Sequence, residues 1–329
     1  MSEVPLADPY ILLEDGVYYA YGTHSDQGIE CYTSRDLYTW KLEGLALDKG
    51  NTSETRWFWA PEVYHIGNRY IMYYSANEHL YAATASSPKG PFRQVGSCQM
   101  APLLGNEKCI DSHVFFDDDG TAWLFFVRFN DGNAVWQCQL GPDYITPVEG
   151  TLSQCFAATQ PWELIQAKVN EGPNIIRHKK RYYLTYSGND YQSQEYAVGY
   201  ATARNIKGPW RKYSGNPVLR RREGLVGTGH HSIFKDREGR LRIVFHAHRS
   251  ASQIHPRMMY IGFLRFKGSR LEVTDDPIIS PVLENWAGAS SFNTSPQTAF
   301  TVLFPIYTRM RYYAFGILTG ISVSNIIAR

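Results

Sequence analysis

Cysteine is scarce in this chain, which has five in 329 residues, and none lies in a CxxC pair or another metal-binding spacing. Scattered cysteines in odd number argue against a disulfide framework and indicate free thiols in a reducing compartment. The start, Met1 to Pro5, lacks the basic and apolar stretches of a signal peptide. We therefore expect a cytoplasmic protein, the alternative being a leader that has been removed.

An excess of charge is also missing. Lys and Arg total 33 against 31 acidic residues, a formal charge of +2, and no long basic run occurs. Phosphate binding needs a concentrated basic surface, so nucleic acid is not an expected partner. We expect no organic cofactor either. Aromatic residues, by contrast, make up 14% of the chain; they favour strands, and their flat rings suit sugar-binding pockets.

No segment longer than ten residues has a clean helical period, whereas one β pattern recurs five times. Each copy has a strand, a tight polar turn and a second β-rich strand, which is typical of a hairpin. The turns fall near residues 16, 68, 120, 180 and 239, so the period is 52 to 60 residues. Small sheets repeated at this spacing predict an all-β fold, a five-bladed β-propeller.

Ionisable residues occupy a shared place in four of the repeats. Counted back from the turns, Asp8 lies 8 residues before its turn, and Asp111, Glu171 and His230 each lie 9 residues before theirs. Because first strands are innermost in a propeller, these side chains should form a ring around the axis. Like charges held close resist ionisation, so the ring indicates a function; the alternative is that each acid caps a turn or faces solvent.

Acids arranged in this way suit glycoside hydrolysis. One carboxylate activates a water on one face of the sugar, and a carboxylic acid protonates the leaving oxygen on the other. A third carboxylate beside the acid raises the pKa of that acid and fixes its rotamer.

Five short motifs in order resemble those of glycoside hydrolase family 43. They span roughly residues 5–270 and are Ala7-Asp8-Pro9, Trp59-Ala60-Pro61-Glu62-Val63, Ile110-Asp111-Ser112, Asn170-Glu171-Gly172-Pro173 and Gly227-Thr228-Gly229-His230-His231-Ser232. The resemblance implies Asp8 as general base, Glu171 as general acid and Asp111 as the residue that modulates the pKa of the acid. It also implies inversion of configuration, for which base and acid stand roughly 6.5–9.5 Å apart.

The resemblance also suggests binding residues. Trp59 is expected to form a wall of the sugar pocket, with a core position as the alternative. His230 matches an axial histidine that binds Ca²⁺ or a water in many members, and a channel histidine without metal is the alternative. Four further candidates for substrate binding, each with a structural alternative, are His113, Trp162, Tyr191 and Arg249.

The propeller pattern stops after Pro281, and we predict a catalytic domain over residues 1–285 followed by an atypical extension, residues 286–329. Residues 298–329 are apolar and aromatic, and their longest uncharged run, Tyr312 to Ala328, is 17 residues. That length is short for a membrane span, so a membrane anchor is the less favoured interpretation. We expect the extension to pack against the propeller or against another subunit of a homo-oligomer.

Together these features predict an exo-acting β-xylosidase, α-L-arabinofuranosidase or both, acting on xylo- or arabino-oligosaccharides of plant cell walls. A galactofuranosidase or galactanase of the same fold is one alternative. Related fructan hydrolases are disfavoured, because their Asn before the first Asp and their Arg-Asp-Pro and Glu-Cys motifs are absent here. A propeller that only binds carbohydrate is the remaining alternative, and three acids in register argue against it.

Overall fold

The computed structural model describes residues 2–284 of the chain, and these form a five-bladed β-propeller. The fold class predicted from the repeats is therefore confirmed. The apolar extension of residues 286–329 lies outside the described residues, as do the packing and subunit contacts predicted for it. Within residues 2–284 no helix is long and apolar enough to cross a membrane.

Each blade is an antiparallel sheet whose strands follow the chain from the axis outward. Blade one contains β1 (Ala7–Glu14), β2 (Val17–Thr23), β3 (Gly28–Ser34) and β4 (Thr39–Asp48). Blade two contains β5 (Trp59–Ile66), β6 (Arg69–Ala76), β7 (His79–Ala85) and β8 (Arg93–Val95). Blade three contains β9 (Cys109–Phe116), β10 (Ala122–Arg128), β11 (Ala134–Leu140) and β12 (Ser153–Phe156).

The last two blades repeat this order. Blade four contains β13 (Asn170–His178), β14 (Arg181–Gly188), β15 (Ala197–Ala203) and β16 (Arg211–Lys212). Blade five contains β17 (Gly229–Lys235), β18 (Leu241–Ala247), β19 (Met258–Lys267) and β20 (Arg270–Val273). The helical segments of residues 2–284 are short: α1 (Ala101–Leu104) and the 3-10 turns Lys49–Asn51 and Pro161–Glu163.

The core lies between blades rather than at the axis. Tyr21 of blade one packs with Met72 and Tyr74 of blade two, and corresponding clusters fill the other four interfaces. Fully burying one such side chain contributes about 1.5–3 kcal/mol. Since every blade needs a neighbour on both sides to bury its two faces, the five sheets are stable only as a ring.

The ring is closed by both ends of the described chain. Strand β21 (Val282–Leu283) pairs in parallel with the outer strand β4 of blade one. The amide of Val4 donates to the carbonyl of Pro281 at 3.1 Å, and the amide of Met259 in blade five donates to the carbonyl of Val4 at 3.1 Å. Residues near the two ends therefore fasten blade five to blade one.

Candidate active site

The inner strand of every blade contains a β-bulge close to its start. At the bulge one residue has a positive φ, and the five are Asp8 (48°), Ala60 (44°), Asp111 (59°), Gly172 (54°) and His230 (39°). For a residue other than glycine this conformation costs about 1–3 kcal/mol and persists only where the surroundings enforce it. All five line one small axial cavity, so the bulges bring residues from every blade to the axis.

The predicted register is correct for Asp8, Asp111 and His230 and wrong by one residue in blade four. There Gly172 holds the bulge, and Glu171 precedes it. The cause is the length of the hairpin turn: β1–β2 and β13–β14 are joined by two residues, whereas β9–β10 and β17–β18 are joined by five. Counting from the turn therefore shifts blade four by one position relative to blades three and five.

Most of the bulge amides are held by the preceding blade. Four of them donate to a side chain on its second strand, and the acceptors are Thr23 for Ala60 (3.0 Å), Ser75 for Asp111 (3.0 Å), Ser187 for His230 (2.7 Å) and His246 for Asp8 (3.1 Å). A buried amide left without a partner would cost about 1–3 kcal/mol. These bonds explain how the strained bulges are maintained.

Blade four departs from this pattern and thereby orients Asp111. The residue of β10 that corresponds to Ser75 and Ser187 is Val127, which has no acceptor. The amide of Gly172 donates instead to Oδ2 of Asp111 at 3.1 Å. Glycine is favoured at 172, because a Cβ there would lie at a positive φ and only 3.0 Å from the His230 ring.

Asp8 is a buried carboxylate surrounded by nitrogen atoms. Arg257 donates to its Oδ1 at 2.8 Å, and the Nδ1 atoms of His230 and His246 each lie 3.3 Å from the same oxygen. Burial alone would raise the pKa of Asp8, but the opposing contributions, of which the charge of Arg257 is the largest, outweigh it and hold the pKa well below its usual value. Asp8 is thus ionised at neutral pH, as a general base must be.

Glu171 is a buried acid with the opposite tendency. Its Oε1 accepts from the hydroxyl of Tyr196 at 2.8 Å, and its Oε2 accepts from Nδ2 of Asn133 at 3.0 Å. Burial raises the pKa of Glu171 to about 7; the two hydrogen bonds oppose this rise, and the charges of Asp190 and Asp8 add to it. Near neutral pH this carboxyl therefore holds a proton that it can give away.

The pKa of Asp111 depends on both of the other acids. Burial, and then the charges of Glu171 and Asp8, raise its pKa well above the usual value, while the bond from Gly172 acts in the opposite direction. Its Oδ2 also lies 3.9 Å from Nδ1 of His230. The three acids predicted from the sequence therefore influence one another at one end of the axis, and two of them line the same cavity.

Two of the predicted binding residues can be related to the acids, Trp59 by its place in the strand and Tyr191 through Arg257. Trp59 immediately precedes the bulge of β5, so its position is equivalent to that of Glu171 in β13. Its ring stacks on that of Trp57, with the ring centroids 5.8 Å apart. The ring of Tyr191 lies against the guanidinium of Arg257, 4.7 Å from centroid to carbon. Both stay candidates for substrate binding.

Three other predicted residues are engaged elsewhere. Nδ1 of His113 lies 2.9 Å from Glu62, and its Nε2 accepts from the amide of Ile175 at 3.1 Å, deeper in the channel. Arg249 is exposed and pairs with Glu3 at 2.8 Å.

Trp162 is buried in the core of blade four. Its ring fills the space above Gly188 and Gly199, where a Cβ at either glycine would come within 2.7 Å of a ring carbon. The structure brings none of these three side chains to the acids.

Several residues with a clear place in the site were missed from the sequence. Arg257, His246, Tyr196 and Asn133 each bond to Asp8 or Glu171, yet none belongs to a recurring motif. A buried carboxylate that stays ionised is usually paired with a cation, but the chain has many arginines and the sequence does not show which of them reaches Asp8.

The lining of the cavity near His230 contains side chains of the types that bind cations. The axial cavity is lined by the carboxylates of Asp8, Glu62 and Asp111 and by the imidazoles of His230 and His231. Within residues 2–284 no group of three or more ligating side chains could hold an ion directly. A calcium ion near His230 therefore stays a prediction.

A propeller with an ionised acid and a protonated acid at one end of its axis has the features of a glycoside hydrolase. Residues 2–262 match the family described as Glycosyl hydrolases family 43, and the chain belongs to this family. Enzymes of the family are inverting glycosidases. The resemblance inferred from the five motifs is confirmed.

Relatives share the fold and differ in the activity that their names state. An endo-1,4-beta-xylanase structure from Bacteroides thetaiotaomicron is 42% identical with a TM-score of 0.82, covering 86% of this chain and 98% of its own. Beta-D-galactofuranosidase xynD of Aspergillus niger is 28% identical, with 73% of each chain covered. Xylosidase/arabinosidase 43B of Humicola insolens is 26% identical over 75% of this chain, which spans about half, 48%, of that relative.

Proposed function

We propose that this glycosidase releases β-D-xylosyl or α-L-arabinofuranosyl residues from plant cell-wall oligosaccharides. Asp8 acts as general base and Glu171 as general acid. The observation that carries this assignment is the contrast between the two acids: the charge of Arg257, which pairs with Asp8 at 2.8 Å, is the largest contribution that keeps Asp8 ionised, whereas burial raises the pKa of Glu171 to about 7. Environments that separate the pKa values of two carboxyl groups in this way assign the base and the acid.

The reaction follows from these states. Asp8 takes a proton from a water, whose oxygen attacks the anomeric carbon from one face of the sugar. Glu171 gives its proton to the glycosidic oxygen on the other face, and the bond between that oxygen and the anomeric carbon breaks. The amide of Gly172 donates to Asp111 and fixes its carboxyl group near Glu171. Because two neighbouring carboxyl groups resist joint ionisation, Asp111 modulates the ionisation of Glu171.

The sugar is proposed from the relatives. Names that combine xylosidase with arabinosidase, or that state arabinofuranosidase, recur among proteins matching about three quarters of this chain. The two pentoses present similar hydroxyl patterns near the anomeric carbon, so one pocket can accept both. A galactofuranosidase is the second candidate, because the relative from Aspergillus niger bears that name.

A panel of aryl glycosides tests the proposal. We expect the purified protein to hydrolyse the aryl β-D-xyloside or α-L-arabinofuranoside faster than the β-D-galactofuranoside, and proton NMR to show the inverted anomer first. Preference for the galactofuranoside would transfer the proposal to the second candidate. No hydrolysis of any member would contradict catalysis and favour a propeller that only binds carbohydrate.

We also propose that a calcium ion binds near His230, supported by the carboxylates that line the cavity. Chelation followed by gel filtration is expected to lower the melting temperature and the activity together, and Ca²⁺ is expected to restore both. Mg²⁺ is the control, because it demands a smaller octahedral site. Unchanged stability and activity throughout would remove the ion from the proposal.

A further inference from the structure

Both carboxyl oxygens of Glu171, the proposed general acid, accept hydrogen bonds from neutral donors. Tyr196 lies just before β15 and is fully buried, and its hydroxyl donates to Oε1 of Glu171 at 2.8 Å. Burial and the charge of Glu171 raise the pKa of this tyrosine well above its usual value, so it keeps its proton and must act as the donor. The side-chain amide of Asn133 donates to Oε2 of Glu171 at 3.0 Å.

The ring of Tyr196 is fixed from two sides. One face stacks on His246, with ring centroids 5.7 Å apart and an angle of 14° between the planes. At Gly229 a Cβ would lie 2.3 Å from a carbon of the Tyr196 ring, so any larger residue would displace it. The glycine that precedes the bulge of blade five therefore leaves the space that the tyrosine fills.

His246 links this tyrosine to the general base. Its Nδ1 accepts from the amide of Asp8 at 3.1 Å, and burial, together with the charge of Arg257, lowers its pKa to about 3, so the ring stays neutral. Tyr196 thus touches the acid through its hydroxyl and packs on the ring that holds the base. No aliphatic side chain could make both contacts.

The second donor is fixed by backbone bonds. The backbone N–H of Asn133 donates to the carbonyl of Lys168 at 3.1 Å, and the backbone N–H of Asn170 donates to the backbone carbonyl of Asn133 at 2.9 Å. Asn133 follows β10 of blade three, whereas Tyr196 belongs to blade four. Donors from two blades therefore set the plane of the Glu171 carboxyl.

We propose that Tyr196, assisted by Asn133, is a positioning residue for the acid step. It orients the Glu171 carboxyl, and it stabilises the carboxylate that forms as the proton moves from Glu171 to the departing glycosidic oxygen. Tyr196 keeps its own proton throughout, so the step remains balanced. The proposal rests on the acid role proposed for Glu171.

The Tyr196→Phe variant removes the hydroxyl and leaves the ring. Hydrogen bonds to charged groups are strong enough that we expect a fall in kcat of about 10- to 100-fold on an aryl glycoside with a poor leaving group. With a dinitrophenyl leaving group, which departs without a proton, kcat should stay within about twofold, and KM should change little for either substrate.

The pH profile provides a readout that a structural role would not move. The hydroxyl favours the ionised form of Glu171, so its loss should raise the pKa of that acid and move the alkaline limb of kcat/KM upward by about one pH unit. Asn133→Ala, at a half-buried position, should shift the limb in the same direction. This second variant keeps the proposal testable if Tyr196→Phe does not fold.

A matched control is Tyr183→Phe in the same blade. The side chain of Tyr183 is also buried, and its partly buried hydroxyl donates to the carbonyl of Ser269 at 3.0 Å, away from the acids. It should leave the pH profile and the leaving-group dependence unchanged. Folded Tyr196→Phe or Asn133→Ala variants that behave like this control would overturn the inference. If Glu171→Gln itself retained full activity on the poor leaving group, the acid assignment would fail instead.

Discussion

Replacing Asp8 with asparagine is expected to lower kcat by about 10²- to 10⁴-fold on every aryl glycoside, because general base catalysis contributes about that much. Asparagine has nearly the same shape but cannot accept the proton of the attacking water. The loss should be independent of the leaving group, since the base acts on the water rather than on the aglycone. Steady-state rates on substrates with poor and with activated leaving groups check both statements.

Stability must be measured in the same experiment. Without its carboxylate, Arg257 would be a poorly paired cation in a largely buried place, and breaking a buried pair destabilises by about 3–5 kcal/mol. Asp236→Asn is the matched control, because Asp236 is a buried carboxylate that pairs with Arg242 at 2.8 Å near the β17–β18 turn. It should lose stability and keep kcat. Near wild-type hydrolysis by Asp8→Asn would refute the base assignment.

Replacing Glu171 with glutamine is expected to remove the general acid and to make the rate depend steeply on the leaving group. We expect a loss of about 10²- to 10⁴-fold for a poor leaving group and little loss for a dinitrophenyl glycoside. In the native protein Glu171 must be protonated, so kcat/KM should fall as the pH rises through its pKa of about 7. In the variant this alkaline limb should disappear.

Glu163→Gln provides the comparison for this prediction. Glu163 is a fully buried glutamate of the same region and accepts from the hydroxyl of Tyr186 at 2.6 Å, but its partner is Lys212 at 2.7 Å. The change should cost stability and leave the pH profile of the remaining folded protein intact. A Glu171→Gln variant that retained the alkaline limb and a flat leaving-group dependence would contradict the acid assignment.

The fold could be predicted from the sequence because each blade repeats a local signal. Alternating aromatic strands and polar turns at similar spacing appear in the sequence itself, and the blade order follows the chain. Asp8, Asp111 and His230 could be placed together for the same reason. Glu171 could not be aligned correctly, because a two-residue turn in blade four and five-residue turns in blades three and five are difficult to distinguish from composition.

The positions of residues outside the repeat could not be predicted from the sequence. Trp162 is among the predicted substrate-binding residues, but the space above Gly188 and Gly199 that receives its ring becomes visible only when β14 and β15 pair. Arg257 immediately precedes β19 and reaches Asp8 from a position 249 residues away. Such partners depend on the closure of the ring, which no local pattern encodes.

The general base stands at the seam where the circle of blades is joined. Asp8 belongs to the first blade, while Arg257, whose charge keeps it ionised, and the adjacent His230 and His246 all come from the last. The few backbone bonds between Val4, Pro281 and Met259 thus fasten a catalytic unit as well as a fold. Loosening this junction would move Arg257 away from Asp8 and so remove the main source of its low pKa, which means that loss of turnover would reveal a weakened contact between blade five and blade one.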